Sequence, residues 1–282
     1  MPKARLLANY IFNLNSMSHI KYFCLLFCCC FNAYCQDTYS EVRYTFTITN
    51  TQSSINVDCS LLYSAKQNQS TFINFGFSKT PDSTYAVKSE SNGDQLINIS
   101  KYNNSNGQKP EYQKLFGKDS LYAFESVYGE KNYHIIYEKL PHFAWKIENE
   151  TKEILNHKVQ KASVYFRGRN YTAWFAQDIS IPDGPYKFNG LPGLILEISS
   201  TDGNYKFLAY ELRINQPSDF VFERLTTKYK KNKILSVKEK IALTKANEEK
   251  EIRYQQSKNP NQGDFKLANT AIETDFKDLV DD

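Results

Sequence analysis

The stretch from Tyr39 to Thr49 reads YSEVRYTFTIT, with Val42, Tyr44, Phe46 and Ile48 apolar at every second position. Successive side chains of a strand point to opposite faces, so this alternation buries one face of a sheet and wets the other. Similar runs recur at Val57–Tyr63, Thr71–Phe77, Gln95–Ser100, Leu121–Tyr128 and Tyr133–Tyr137. Turn-forming residues separate them at 66–70, 80–83, 92–94, 103–107 and 129–131. Gly129 to Asn132 is short enough for a hairpin loop. Strands that follow one another across short turns predict an antiparallel sheet rather than βαβ units.

The centre is the most regular part. Val159–Phe166 and Tyr171–Ala176 flank Arg167-Gly-Arg-Asn170, where Gly168 and Asn170 both tolerate positive φ, so a tight hairpin is predicted. Pro182, Gly184 and Pro185 exclude a central strand from Ile179–Tyr186 and predict a fixed loop. Next comes KFNGLPGLILEISS, from Lys187 to Ser200. A phosphate loop needs backbone N–H groups at a helix start and a Lys followed by Ser or Thr. Here strand-forming residues follow, and Pro192 removes a donor. The run is therefore expected to be a corner. Gly190 and Gly193 supply unusual φ values, Pro192 stiffens the turn between them, and the chain enters a buried strand, Leu194–Ile198, in one register. After Asp202-Gly-Asn204, Tyr205–Leu212 returns as a hairpin arm.

Near the C-terminus the period changes. Ser236-Val-Lys-Glu239 has the form of a capping box and opens a helix over about 236–256, which Asn259-Pro260 and Asn261-Gln-Gly263 stop. The Lys-rich stretch Arg224–Lys240, followed by Glu248, Glu249 and Glu251, reads as a solvated helix face. The polar tail 264–282 is expected to fray or form a short helix. The fold class expected is mainly β: a curved antiparallel sheet or half-barrel with one C-terminal helix.

The first 35 residues read as a leader. From Met17, read as the true start, His19 and Lys21 form a short basic region, and Tyr22 to Phe31 an apolar core too short to span a membrane. Ala33 and Cys35 precede a cut before Gln36; lipidation of Cys35 is the alternative, hindered by bulky Tyr34. The mature chain, 36–282, is then a single antiparallel β domain without a transmembrane segment, exported to the periplasm, the outer membrane or the surface. Loss of Lys3, Arg5 and Lys21 takes three of 35 basic residues, leaving 32 against 31 acids. That near-neutral balance offers no clustered basic face for nucleic acid. Five of six cysteines lie in the leader, so Cys59 alone remains, with no internal disulfide; its strand-like context reads as a small buried hydrophobe.

The residues offer little chemistry. The mature histidines, His134, His142 and His157, form no metal-ligand pair, and there is no Cys-x-x-Cys and no Gly-x-Ser-x-Gly elbow. No catalytic, cofactor-binding or metal residue is assigned. Glu197, inside a buried strand, is the one acid to check, as a salt-bridged structural group or a general base near Arg167 or Arg169. The 20 tyrosines and 19 phenylalanines read as core packing, or as the lining of a concave face that encloses an apolar ligand.

The run from Phe166 to Ile198 resembles the signature of the GLPGLI family of exported Bacteroidetes proteins. The match lies in Gly168-Arg169, Ala173-Trp174-Phe175, Gly184-Pro185, Lys187-Phe188 and Gly190-Leu191-Pro192-Gly193-Leu194-Ile195, and covers about Trp145 to Tyr210. The resemblance implies a cleaved leader and an all-β body, with no established activity, catalytic residues or cofactor. It implies an envelope role, members being encoded near outer-membrane transport or protease genes. Relatives carry a cysteine where this chain has Val159, so a disulfide of theirs is not expected here. Gly168, Arg169, Trp174, Gly184, Pro185, Gly190, Leu191, Pro192 and Gly193 are expected to act as a structural motif. Three functions remain: a non-enzymatic protein that binds an outer-membrane or other envelope partner, a carrier of a lipid or other apolar ligand, and an enzyme with dispersed Glu197, His134 and Arg169.

Overall fold

The computed structural model describes residues 38–49, 54–75, 87–89, 95–97, 108–217, 221–258, 265–267 and 272–276. The leader, the cut before Gln36, Cys35, the turns at 80–83, 92–94 and 103–107, and the helix stop at 259–263 lie outside the described residues.

In chain order the strands are β1 (Thr38–Thr49), β2 (Ser54–Ser64), β3 (Gln69–Asn74), β4 (Val87–Ser89), β5 (Gln95–Ile97), β6 (Glu111–Leu115), β7 (Ser120–Ser126) and β8 (Tyr133–Lys139). There follow β9 (Lys146–Ile154), β10 (His157–Phe166), β11 (Arg169–Ala176), β12 (Leu194–Ser200) and β13 (Tyr205–Pro217). Then come helix α1 (Leu225–Lys228), β14 (Ile234–Ser236), helix α2 (Val237–Lys258) and β15 (Phe265–Leu267). Twelve strands form one sheet in the order β14-β8-β7-β6-β3-β2-β1-β13-β12-β11-β10-β9, and β15-β5-β4 form a second. The large sheet joins two meanders through its first strand: β1 pairs with β2 on one side and with β13 on the other.

The sheet is mostly antiparallel, as the short turns predict, and it curves without closing into a barrel. Phe72 on β3 and Phe207 on β13 are three strands apart, which a flat sheet would separate by about 14 Å. Their ring centroids stand only 5.8 Å apart, so the concave face folds onto itself. The alternation of β1 explains which face this is. Val42, Tyr44 and Phe46 point inward and are buried, while Glu41, Arg43, Thr45 and Thr47 between them are half-exposed. The Tyr44 hydroxyl donates to the Ile195 carbonyl at 2.7 Å, tying β1 to β12 across the curve. Cys59 is a buried free thiol, as its context predicts, and burial pushes it up from its ordinary value.

Four details correct the sequence reading. Two pairings are parallel, β14 with β8 and β15 with β5, because each final strand returns beside an older one after a long excursion. Arg224–Lys240 is not one helix: α1 ends at Lys228 and β14 intervenes, since Leu235 is drawn into the core beside β8. In the β10–β11 hairpin Phe166 pairs with Arg169, so the loop is the two residues Arg167 and Gly168, with φ of 43° and 96°. Asn170 lies in β11; the hairpin twist demands positive φ at both central positions of a two-residue loop, which places the burden on Arg167 rather than Asn170. Finally, the tail is not simply frayed or helical: β15 pairs with β5, and Glu273 is buried.

The capping box at Ser236 forms as expected, the Ser236 N–H donating to Glu239 at 2.7 Å and the Glu239 N–H to the Ser236 hydroxyl at 3.2 Å. A small apolar cluster on the convex side, Phe124, Tyr133, Ile135 and Leu225, seats α1, with Tyr229 stacked on Phe124. Among the described residues no helix is long and apolar enough to cross a membrane.

Candidate functional site

The segment 177–193 between β11 and β12 does not run over the surface. Its residues Asp183 to Asn189 are all buried within the concave side of the sheet. A buried loop must satisfy its own backbone. It does so with short internal bonds: Ile181 N–H to Ile179 at 2.7 Å, Asp183 N–H to Ile181 at 2.8 Å, Gly190 N–H to Pro182 at 3.0 Å and Gly193 N–H to Leu191 at 2.8 Å. The Trp145 indole N–H donates to the Asn189 carbonyl at 2.8 Å, and the Asn189 amide donates to Pro141 at 3.2 Å. Apolar packing completes the seat. Tyr186 meets Tyr112 edge-on at 4.7 Å between centroids, and Phe188 lies against Phe143, Phe166 and Tyr171 at 5.5, 5.7 and 4.8 Å. Full burial of a side chain such as Phe188 stabilises by about 2–3 kcal/mol.

Charge fixes the loop's register. Lys114 on β6 and Glu138 on β8 both face Leu121 of β7 across the ladders, so they sit two strands apart on the concave face. The loop presents the opposite signs. Lys114 pairs with Asp183 and donates to the carbonyls of Gly184 and Phe188 at 2.8 and 3.1 Å. Lys187 reaches Glu138 at 2.6 Å. A sheet cation thus holds a loop anion, and a sheet anion holds a loop cation.

The second pair belongs to a closed ring of four. Arg167 binds Glu138 at 2.6 Å and Glu273 at 2.9 Å; Lys187 binds Glu138 at 2.6 Å and Glu273 at 2.7 Å. Each cation touches both carboxylates, and no side chain of the four is more than 5% exposed. The Tyr186 hydroxyl donates to Glu273 at 2.5 Å. Burial alone would raise the Glu273 carboxyl, but the Lys187 ammonium and Arg167 guanidinium outweigh it and hold it far below its ordinary value. Burial works to lower Lys187, and Glu138 and Glu273 together leave it raised. Lys114 differs: burial prevails over Asp183 and lowers it. Nearby, Glu125 accepts from Tyr112 at 3.0 Å and from Lys240 of α2 at 2.5 Å.

The motif residues distribute themselves around this loop. A Cβ on Gly193 would stand 2.2 Å from the Ala176 carbonyl oxygen, so the corner needs glycine for close approach as well as for its φ of 157°. Gly190 has φ of 86° in open space, and Pro192 beside it is exposed. Gly184 abuts Ile195, where a Cβ would come within 2.8 Å, while Pro185 and Leu191 are buried in the loop. Gly168 lies under Thr274, and Arg169 pairs with Asp202 at 3.0 Å. Trp174 stands apart on the convex face of β11, with the Lys152 ammonium 4.3 Å above its ring.

Glu197 is paired with Lys152 at 2.5 Å and Lys206 at 3.1 Å, not with Arg167 or Arg169, because its side chain leaves the opposite face of β12 from the loop. His134 lies across from Glu125 on β8, 3.7 Å from Glu130. Glu197, His134 and Arg169 therefore have three separate sets of partners. Among the described residues no group of three or more His, Cys, Asp or Glu is placed to hold a metal ion. Sequence reasoning missed Lys114, Glu138, Asp183, Tyr186 and Glu273. The available signal was Lys114 in Glu111–Leu115, a strand buried on both faces.

Fold and site together define a curled antiparallel sheet whose concave side is locked around its own loop by buried ion pairs. A family model described as a protein of unknown function (Porph_ging) matches residues 166–197, which carry Arg167, Asp183 and Lys187. No curated protein matches. Solved structures of PNGF-II, in space groups C2 and P21, are similar at 12% and 14% identity, with TM-scores of 0.43 and 0.38. Each alignment covers 71% of this chain and 31% of the PNGF-II chain, so the chain spans less than a third of that protein's length.

Proposed function

We propose that the chain is an exported, non-enzymatic protein of the cell envelope, periplasmic or surface-associated, that binds a partner there. The observation that carries this reading is the filled concave face. Tyr186 and Phe188 occupy the space where a carrier would hold an apolar ligand, and the charges beside them are committed to one another. An interior filled in this way is a scaffold, which leaves recognition to its surface. The leader-like segment before Gln36 and the single remaining cysteine support export without a disulfide. A carrier would need the loop to vacate the sheet, and an enzyme would need Glu197, His134 and Arg169 in one cleft.

Native mass spectrometry on the protein released gently from its host, with N-terminal sequencing, tests this. The expected result is a chain beginning at Gln36 in complex with a second protein. A defined apolar adduct of small mass would put the chain among carriers instead. Retention of the leader in an intracellular protein would remove the export half of the reading.

A further inference from the structure

The segment Ile272 to Phe276 is held as a peptide is held in a binding groove. Its main chain is gripped at both ends: the N–H groups of Thr274 and Asp275 donate to the Arg167 carbonyl at 2.8 and 3.2 Å. The Ile272 carbonyl accepts from Arg169 at 3.3 Å and from the Tyr171 hydroxyl at 3.2 Å. Between these grips the Glu273 carboxylate enters the interior and meets Arg167, Lys187 and the Tyr186 hydroxyl. Asp275 accepts from Tyr165 at 3.1 Å, and the Arg167 guanidinium lies 5.4 Å from the centre of the Phe276 ring. The five residues belong to no strand or helix of their own. Gly168 leaves room for them, since a Cβ there would come within 1.9 Å of the Thr274 hydroxyl.

The polar contacts named on the host side come from the hairpin turn 165–171 and from the buried loop. Without Glu273 it would present two cations and a tyrosine hydroxyl against one carboxylate, Glu138, a site with one positive charge in excess. A planar guanidinium and an ammonium group around a buried pocket are suited to a carboxylate, and the main-chain bonds on either side hold a short bent peptide whose adjacent N–H groups share one carbonyl. We propose that the groove formed by Arg167, Lys187, Tyr186, Arg169 and Tyr171 is a recognition site for a short acidic peptide of the pattern Ile-Glu-Thr-Asp-Phe in a bent conformation, held in this chain by its own tail. The proposal rests on the partner-binding reading and names the chemistry of the partner: a segment that inserts one glutamate between two cations. The tethered tail competes at high effective concentration, so a free peptide gains entry only when the tether is cut or when other contacts hold its owner in place.

The test uses the full chain with a protease site placed between residues 259 and 264, cleaved after folding. A labelled peptide of residues 270–278 is then titrated by fluorescence anisotropy, alongside the same peptide with Glu273→Gln. The cleaved protein should bind the first peptide and bind the second at least about tenfold more weakly, as loss of a charged hydrogen-bond partner implies. The uncleaved protein should bind either peptide far less. Equal binding of both peptides, or none to a cleaved protein of unchanged near-ultraviolet circular dichroism, overturns the proposal. Unfolding on cleavage also overturns it, because the segment is then part of the fold. Amide exchange on the uncut chain gives an independent reading: the N–H groups of Thr274 and Asp275 should open separately from that of Ile195, and equal protection counts against a displaceable tail. A failed titration beside a partner complex in the mass spectrum sinks this inference alone, and absence of any complex sinks the broader one.

Discussion

Lys114 and Asp183 lie 69 residues apart in the chain and form an ion pair in which neither side chain is exposed to solvent. Such a pair is expensive to desolvate and, once made, expensive to break from one side. It therefore fixes where the loop docks more than how stable the fold is. Asp183→Asn, which leaves a buried ammonium without a counter-charge, should cost about 3–5 kcal/mol. The double variant Lys114→Met with Asp183→Asn should cost clearly less than the sum of the two single changes. Urea denaturation of the three variants checks this, and additive losses would show that the pair does not act as a unit.

Gly193 and Gly190 separate two reasons for glycine. Gly193→Val drives a side chain into the Ala176 carbonyl, and folded yield and melting temperature should fall, by at least about 3 kcal/mol. Gly190→Ala meets nothing and pays only for its positive φ, about 1–2 kcal/mol. Normal melting of the valine variant would count against the corner.

The ring of four sets the acid limit. Glu273 titrates in the folded state below its ordinary value of 4.5, so the unfolded chain binds the extra proton first. Its stabilisation is complete above the ordinary value and is lost as pH falls through the folded one. Denaturation midpoints should decline below about pH 4.5, and Glu273→Gln should flatten that decline. An unchanged slope in the variant would mean that other carboxylates carry it.

The alkaline limit comes from tyrosines. Burial first, with Asp183, Glu125 and Glu273 adding to it, raises the hydroxyls of Tyr44, Tyr112 and Tyr186 well above 10.0. Above that value the unfolded chain loses protons which the folded chain keeps, so stability should fall as pH rises. Absorbance at 295 nm should show a group of tyrosines that ionises only with unfolding. A single wave completed in the folded protein would contradict the burial.

Cys59 gives a probe of global opening. Its thiol is buried and raised, so iodoacetamide at pH 8 should leave the native protein unlabelled and modify it fully in denaturant. Rapid labelling of the native chain would place β2 in a less protected setting than the sheet order implies.

What the residues announced was the sheet. The alternation in β1 and the reciprocal Ser236–Glu239 bonds are local patterns, each complete within a few positions, and both recur in the structure. The lock was illegible for the opposite reason. Lys114 belongs to a strand buried on both faces, which has no alternation to read. Asp183 sits in Pro-Asp-Gly-Pro, a stretch with the composition of a solvated turn, and Glu273 in a polar tail. Each looks like a surface charge until its partner, tens of residues away, is known. Trp174 shows the converse. It was expected only as part of a structural motif, and its register beside Glu197 sets it on the other face of β11 from Ala173 and Phe175.

The place of β1 at the junction of two meanders has a consequence for the timing of assembly. β2, β3, β6, β7 and β8 pair in chain order, as do β9 to β13, but Thr38 must wait for Pro217 before the halves join. Closing so long a span is entropically slow and comes late. During synthesis, Thr38–Thr49 therefore emerges long before the strand that completes its pairing. Until then β1 offers an open edge, and anything that escorts this polypeptide must shield that edge for the time it takes to make the intervening residues.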